Sequence, residues 1–358
     1  GYYEEALSLD PDYAAAHAGL CATYVARYWI SNAVGDIEEA ETACARALNS
    51  NPRLHMAYSA LGDLYRRTAR NAEAESAYRK ALESNPQDAQ AMSGMAKVYQ
   101  RERDYDEAEQ LFRKAIEIQP GSWRAIDNYG TFLFTIGRYD EAAVAYRQVL
   151  QLDPANKQAW TNLGSALTMA GDFASGRQAY EESLKLEESE TAHSNLGVIY
   201  YYLGEFEKSV EEHRAAVALN PGQAFNWLNL ADALYFAGET AEARSAFGKA
   251  SELAESRLSV DPDDADTLLL LGWAQQMLGN KAGAKEYINK GLDVAPNNPY
   301  GQYYAGLIEV GAGNHEGALR ALQSALDNGY PAKMLAAEPY LEDLKQHRKF
   351  RKMISESN

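Results

Sequence analysis

Several features that mark common protein classes are missing from this sequence of 358 residues. Its two cysteines give no support to a zinc site. No apolar run approaches the roughly 18 residues that a membrane-spanning helix needs. Cations are scarce, since 34 Lys and Arg face 51 Asp and Glu, which gives a net charge of -17. This charge argues against nucleic acid as the main partner, because phosphate binding requires clustered cations. Together these absences favour a cytoplasmic protein with no membrane span.

Catalytic motifs are missing as well. The sequence has no P-loop, no H-E-x-x-H pair and no nucleophile-base constellation. Its six histidines are scattered, and His17, His193 and His213 fall at positions that the repeat pattern described below predicts to be in the core. We therefore expect a protein that is not an enzyme and that carries no cofactor and no metal ion.

What the sequence does contain is one repeating unit. Pro52, Pro86, Pro120 and Pro154 are 34 residues apart, and Pro262 to Pro296 is the same distance. Six residues after the prolines come large apolar side chains: Tyr58, Met92, Ile126, Trp160, Trp227 and Leu268. Ten residues after them come small ones: Gly62, Ala96, Gly130, Gly164, Ala231 and Gly272. The pattern predicts two amphipathic helices joined by a turn in each unit.

These residues resemble the tetratricopeptide repeat family, whose 34-residue pattern is W-x2-L-G-x2-Y, then A-x3-F, then P. The resemblance implies an all-α fold, a right-handed solenoid of about nine helix-turn-helix repeats with a concave groove. We expect residues 11–328 to form this superhelix and residues 329–358 to form a C-terminal capping segment. Residues 1–10 read as the second helix of a truncated repeat, so we expect a fragment of a longer protein.

Two proline spacings are 41 residues long, seven more than the repeat. Seven residues make about two helical turns. After Pro11, the surplus either lengthens the first helix through Trp29 and Ile30 or forms a bulged loop at Ser31. After Pro221, it falls in the second helix, which we expect to extend to Ser259.

The cysteines and the C-terminal tail each leave alternatives open. Cys21 and Cys44 occupy core positions of paired helices, where we expect two buried thiols, with a disulfide as the alternative. The tail is amphipathic and basic, as an end cap requires. It also resembles the closing segment of repeat arms in bacterial multidomain signalling proteins.

One helix face carries the candidate binding residues. At about 100° per residue, positions 4, 8, 11 and 15 after each proline lie opposite the buried stripe, and the family resemblance places them in the concave groove. Carboxamides recur there in four consecutive repeats, and each offers a donor and an acceptor to a peptide backbone. These residues are Asn128, Asn162, Asn195 and Asn229, accompanied by the hydroxyls of Thr131 and Ser165.

This asparagine ladder resembles the groove of the repeat arm in the O-linked N-acetylglucosamine transferase. Alternatively, the asparagines bond within the array. On one side of the ladder, aromatic side chains could form pockets for apolar groups or could pack between repeats: Tyr201, Tyr202, Tyr235 and Phe236. On the other side, basic residues could pair with carboxylates of a partner or could form a solvated face: Arg66, Arg67, Lys97, Arg101 and Arg124.

We expect a protein-protein interaction scaffold that binds an extended peptide or partner segment in this groove. One alternative is a regulatory or substrate-recruiting arm of a larger enzyme of kinase, cyclase or glycosyltransferase type. Another is self-association through an apolar groove end formed by Leu270, Trp273 and Tyr304, unless the C-terminal tail covers these residues.

Overall fold

The computed structural model describes residues 1–356, which form helices and no strands. The chain divides into two compact units, residues 1–154 (unit 1) and residues 155–358 (unit 2). Unit 1 contains nine helices: α1 Tyr2–Leu9, α2 Ala14–Ser31, α3 Gly35–Ser50, α4 His55–Arg67, α5 Asn71–Ser84, α6 Ala89–Glu102, α7 Tyr105–Ile118, α8 Trp123–Thr135 and α9 Tyr139–Leu152. Four pairs are formed by α2 with α3, α4 with α5, α6 with α7 and α8 with α9, while α1 packs on α2.

Unit 2 contains five helix pairs followed by short helices. The pairs are α10 Lys157–Met169 with α11 Phe173–Leu186, α12 Glu190–Tyr202 with α13 Phe206–Leu219, α14 Ala224–Phe236 with α15 Thr240–Val260, α16 Ala265–Leu278 with α17 Lys281–Val294, and α18 Pro299–Gly311 with α19 His315–Asp327. The final elements are α20 Ala332–Ala337, a 3-10 turn Pro339–Leu341, α21 Glu342–Lys345 and α22 Arg348–Glu356.

Local sequence chemistry sets the ends of these helices. In five of the nine pairs, a polar side chain two residues after the repeat proline caps the first helix, as Asp88 does by accepting a hydrogen bond from the Ala91 backbone N–H at 3.0 Å. Between the two helices of a pair, the chain turns through a left-handed residue. This residue is usually glycine, such as Gly137 with φ of 80°, but Ala69 and Arg103 hold the same position with φ of 59° and 65°.

The repeat pattern is explained by one recurring contact between paired helices. Gly164 of α10 lies against the ring of Tyr180 in α11, and a Cβ atom at Gly164 would lie 2.9 Å from that ring. The small residue ten positions after the proline therefore makes room for a large one on the second helix. The all-α solenoid predicted from the sequence is confirmed within each unit.

Both irregular spacings lengthen a helix. Helix α2 has 18 residues and ends at Ser31, so the bulged-loop alternative is wrong. Helix α15 has 21 residues where most second helices have 14, and it includes Ser259 as predicted. In α15 all seven extra residues extend one helix by two turns, whereas after Pro11 five of them extend α2 and two extend α3, compared with α4 and α5.

The expectation of two free thiols is wrong. Cys21 and Cys44 are fully buried, but they form a disulfide between α2 and α3. Their Cα atoms are 5.3 Å apart, within the range that a disulfide spans. The core positions that bury both side chains also bring them together.

Candidate functional site

A cleft of about 770 Å³ opens on unit 1 among the first helices of successive pairs. Three cations line it, one from each helix: Arg66 from α4, Lys97 from α6 and Arg124 from α8. Asp63 and Asp127 are the carboxylates in the lining. The cleft therefore carries more positive than negative side chains, in a protein whose net charge is strongly negative.

Lys97 is half-buried in the cleft, and its ammonium contacts a neutral side chain. Its Nζ donates a hydrogen bond of 2.6 Å to Oδ1 of Asn128, a neutral acceptor. Burial, assisted by the positive charge of Arg66, lowers the pKa of Lys97 to about 8, although Asp63 and Asp127 act in the opposite direction. An anion entering the cleft would stabilise the protonated ammonium.

The two arginines of the cleft lie over tryptophan rings. The guanidinium of Arg66 is 5.1 Å from the ring centre of Trp29, and that of Arg124 is 4.6 Å from Trp123. Among the described residues, Nε of Arg66 is buried and has no acceptor. Its nearest carboxylate contact is a long one, 3.7 Å from Nη2 to Oδ1 of Asp63. A ligand carboxylate could supply the missing acceptor.

Asp63 is already engaged by neutral donors. Tyr78 donates its hydroxyl to Oδ1 at 2.7 Å, and Gln90 donates its amide Nε2 to Oδ2 at 2.9 Å. These contacts hold the carboxylate in place at the wall of the cleft. In the described part of the chain, neither Lys97 nor Arg124 forms an ion pair with the Asp63 carboxylate.

In unit 2 the corresponding groove is filled by the chain itself. Residues 330–341, which we call the strap, cross the first helices of all five pairs. The ammonium of Lys333 donates a hydrogen bond of 2.7 Å to the carbonyl oxygen of Ala170, at the end of α10. Farther along the strap, Glu338 contacts Tyr201 of α12 and Tyr303 of α18. The groove of unit 2 is thus closed in this structure.

Aromatic rings surround the strap. The ring centroid of Tyr340 lies 4.6 Å from that of Phe236, 5.0 Å from Trp273 and 5.7 Å from Tyr235. At the other end of the strap, Tyr330 stacks on Tyr303 at 4.7 Å. Offset and edge-to-face pairs of this kind add to the burial energy of each ring.

Two carboxyl groups lie between the strap and the groove, a fully buried one on Glu338 and a half-buried one on Asp232. Glu338 accepts hydrogen bonds from the Tyr201 hydroxyl at 2.8 Å and the Tyr303 hydroxyl at 2.7 Å. Asp232 of α14 accepts from the Tyr340 hydroxyl at 2.8 Å and from Nε1 of Trp273 at 3.1 Å. Burial raises the pKa of Glu338 above its usual value and that of Asp232 to about 7, although the hydrogen bonds counteract this.

Family comparisons bear directly on this architecture. One tetratricopeptide repeat model matches residues 59–122, 133–193 and 170–224, and another matches residues 223–297. Together the matches span more than half of the chain. The chain belongs to the tetratricopeptide repeat family. Proteins of this family are generally interaction scaffolds. None of the curated proteins matches this chain.

Solved structures with similar repeats share little sequence with this protein. A tetratricopeptide repeat protein from Parabacteroides merdae is 16% identical, with 75% of this chain and 98% of that chain covered and a TM-score of 0.51. PilF of Pseudomonas aeruginosa is 23% identical, with 69% and 95% covered and a TM-score of 0.40. MamA is 22% identical, with 48% and 94% covered and a TM-score of 0.44. The likeness to the Parabacteroides protein concerns the fold alone.

The structure brings together only part of the basic set predicted from the repeat positions. Lys97, Arg124 and Asn128 line the cleft of unit 1. Arg67 instead donates to Oδ1 of Asn32 at 3.1 Å, and Arg101 donates to Oδ1 of Asn71 at 3.1 Å. These two arginines therefore bond within the repeat array beside the cleft.

The predicted ladder has a different environment at each position. Asn128 belongs to unit 1 and accepts from Lys97. In unit 2, Asn162 accepts from Nε2 of Gln158 at 2.9 Å, Asn195 hydrogen-bonds with the Tyr180 hydroxyl, and Asn229 is half-buried. Ser165 also contacts the Tyr180 hydroxyl, at 2.8 Å, and Thr131 accepts from Tyr146 at 3.3 Å. The ladder remains a prediction, with part of its polar groups used inside the protein.

The expected apolar groove end is not an exposed patch. Leu270 is 1% exposed and Trp273 is 3% exposed, and Tyr340 of the strap packs edge-to-face on Trp273 with ring centroids 5.0 Å apart. Tyr304 stacks on Trp273 at 5.9 Å and is half-buried. Self-association through these residues would first require the strap to leave. The aromatic residues predicted as pockets, Tyr201, Tyr202, Tyr235 and Phe236, likewise meet the strap.

Sequence reasoning missed two contributors to these sites. Trp29 reaches the cleft of unit 1 because α2 is five residues longer than α4, a lengthening that the 41-residue spacing did indicate. Glu338 gave no such signal, because an acidic residue beside a proline reads as exposed. It is fully buried.

Three further features concern membrane spans, metal sites and the histidines. Among residues 1–356, none of the helices combines the length and apolarity that crossing a bilayer requires. The same residues contain no group of three or more potential metal ligands. His17 and His213 are buried, as predicted, whereas His193 is half-buried and pairs with Glu212 at 2.6 Å.

Proposed function

We propose that this protein is an interaction scaffold that binds an extended, carboxylate-bearing segment of a partner in the cleft of unit 1. The observation that carries the proposal is the convergence of Arg66, Lys97 and Arg124 from three helices on one cleft. The proposal assigns binding and no catalytic step.

Each cation would play a separate part. Lys97 supplies a largely dehydrated charge at the floor, where electrostatic attraction is stronger than in water. Arg66 supplies a buried N–H that lacks an acceptor. Arg124 is exposed at the mouth of the cleft and would meet the ligand first. Arginine suits this task because its guanidinium can bind both oxygens of a carboxylate.

Neutral groups would hold the rest of the segment. Because Asn128 uses Oδ1 for Lys97, its Nδ2 hydrogens remain to donate to a ligand carbonyl. Trp29 and Trp123 offer flat apolar surfaces at the walls. In unit 2 the same backbone-binding role for Asn162, Asn195 and Asn229 stays a prediction.

Fluorescence anisotropy with a labelled decapeptide of alternating glutamate and alanine tests the proposal. A peptide with glutamine in place of glutamate is the matched probe. We expect the glutamate probe to bind at least tenfold more tightly, and Lys97→Met or Arg66→Ala to remove most of that preference. Arg147→Ala is the control, because Arg147 is an exposed arginine on α9, outside the cleft lining.

Two outcomes would contradict the proposal. One is equal affinity for the two peptides. The other is an equal loss of affinity in Arg147→Ala and Arg66→Ala, which would indicate attraction to the general surface rather than to the cleft. Circular dichroism of each variant confirms that its helix content is unchanged.

A further inference from the structure

The strap contacts the groove of unit 2 as a ligand would contact a receptor. Its backbone is extended at Pro331 and again at Glu338, with the short helix α20 between them. Its side chains contact groove residues from Ala170, at the end of the first helix of the first pair, to Tyr303 in the last pair. The segment therefore lies outside the repeat pattern while filling the surface that the repeats create.

Recognition of Glu338 is specific. Three donors converge on its carboxyl group: the hydroxyls of Tyr201 and Tyr303, and the backbone N–H of Tyr340 at 3.1 Å. A fully buried carboxylate is costly unless such donors surround it, and an apolar side chain would fill the space at lower cost. The groove therefore provides a receptor for a carboxyl group.

Recognition of Tyr340 depends on a second acid, this one in the groove. Asp232 accepts the Tyr340 hydroxyl at 2.8 Å and is held from the other side by Nε1 of Trp273. Phe236 and Trp273 enclose the ring. A glutamate followed two residues later by a tyrosine thus matches two adjacent subsites.

The helix pairs of unit 2 make their own contacts independently of the strap. Ile288 of α17 packs against Gly272 of α16, and Leu322 of α19 packs against Gly306 of α18. The residues after the strap have an attachment of their own to the repeats, since Lys349 of α22 pairs with Glu316 of α19 at 2.7 Å, although α22 also packs on α20 of the strap. These contacts within the helix pairs and between α22 and α19 do not involve the strap.

We propose that the groove of unit 2 is a second binding site, for a partner segment that contains glutamate and, two residues later, tyrosine. The strap is the internal competitor that closes this site. A partner must displace the strap. The apparent affinity of the site for that partner therefore equals the affinity of the open groove multiplied by the fraction of molecules in which the strap is undocked. This site is separate from the cleft of unit 1.

A labelled synthetic peptide of residues 329–345 serves as the probe, titrated into the full chain and into its Tyr340→Ala variant. The substitution weakens the strap and leaves every groove residue in place. We expect the variant to bind the peptide at least tenfold more tightly than the unchanged chain. A peptide carrying Glu338→Gln and Tyr340→Phe should bind the variant at least tenfold more weakly than the original peptide.

Lys349→Ala is the matched control, since it alters the flank and not the strap, and it should bind the peptide no better than the unchanged chain. Equal peptide binding by the unchanged chain and Tyr340→Ala, or no binding by either, would overturn the proposal. A Tyr340→Ala chain that dimerises and excludes the peptide would overturn it too, because the occupant would be a second copy of the strap.

If Tyr340→Ala fails to fold, hydrogen exchange of the unchanged chain decides. The proposal requires amides of residues 330–341 to exchange faster than those of α16 and α18 under native conditions, through a local opening. Exchange of all three segments in a single event would show that the strap is part of the core and would overturn the proposal.

Discussion

The two units use the same helix pair to build opposite kinds of groove. In unit 1 the first helices present Arg66, Lys97 and Arg124 to an open cleft. In unit 2 they present aromatic rings and Asp232 to a strap from the same chain. The repeat positions are equivalent, as Lys97 and Asp232 both lie eleven residues after the repeat proline. The fold therefore fixes where a groove lies, and the side chains at a few positions determine what fills it.

The largest expected difference between the units concerns their tryptophans. Trp273→Ala should destabilise unit 2 by about 3–5 kcal/mol, because it removes a buried ring between groove and strap. Trp29→Ala in unit 1 should cost about 1 kcal/mol or less, since Trp29 is 41% exposed and loses mainly cation–π contacts. Hydrogen exchange measures the effect, in α14, α16 and the strap for Trp273→Ala and in α2 and α4 for Trp29→Ala. Similar losses in both variants would mean that the grooves do not differ in this way.

The disulfide should stabilise unit 1 alone. Cys21 and Cys44 are 23 residues apart, and closing a loop of that size contributes about 3 kcal/mol. Reduction should therefore increase hydrogen exchange in α2 and α3 and leave α12 to α19 unchanged. The Cys21→Ala, Cys44→Ala double variant should not respond to reductant. If the protein denatured without reductant showed two reactive thiols, the disulfide would be contradicted.

A stable disulfide is typical of oxidising compartments rather than of the cytoplasm predicted from the sequence.

Binding to the cleft of unit 1 should depend on the charge of Lys97. Lys97→Met should weaken binding of the glutamate decapeptide by about tenfold to 150-fold, the value of a hydrogen bond to a charged group. A bound anion favours the protonated lysine, so affinity should be full below pH 8 and should fall as the pH rises through about 8. Anisotropy titrations between pH 6 and about pH 9.5 measure this. If the affinity of Lys97→Met showed the same pH dependence, a group other than Lys97 would be responsible for it.

The smallest effect concerns the turns between paired helices. Ala69 in unit 1 adopts the left-handed conformation that glycine adopts at Gly204 in unit 2. Ala69→Gly should therefore stabilise unit 1 by about 1 kcal/mol, by removing the clash of a Cβ with its own backbone. Gly204→Ala should destabilise unit 2 by a similar amount, as no neighbouring atom lies within 4 Å of the added Cβ. Urea denaturation of both variants checks the signs, and a destabilising Ala69→Gly would contradict the explanation.

Much of the fold could be predicted from the sequence because the repeat is physically redundant. The contact of Gly164 with Tyr180 recurs with other residues along the chain, so each copy supports the same periodic pattern. Helix lengthening at α2 and α15 followed from the seven-residue surplus. The cleft was predictable in part, since Lys97, Arg124 and Asn128 lie on the stripe derived from helical geometry.

The strap was harder to predict because it follows no period. Its position depends on contacts between residues far apart in the sequence, such as Tyr201 with Glu338 and Asp232 with Tyr340. The sequence did suggest that the tail could cover the apolar groove end. It could not indicate that a glutamate would be buried there, because that depends on two tyrosine hydroxyls meeting in three dimensions.

The central claim is that unit 1 is open to a ligand while unit 2 is closed by its own strap. Titrating the full chain and Tyr340→Ala with both probes, the glutamate decapeptide and the peptide of residues 329–345, tests it most directly. The claim predicts that both proteins bind the decapeptide equally, that only Tyr340→Ala binds the strap peptide tightly, and that the two probes do not compete. Competition between the probes, or tight strap-peptide binding by the unchanged chain, would contradict it.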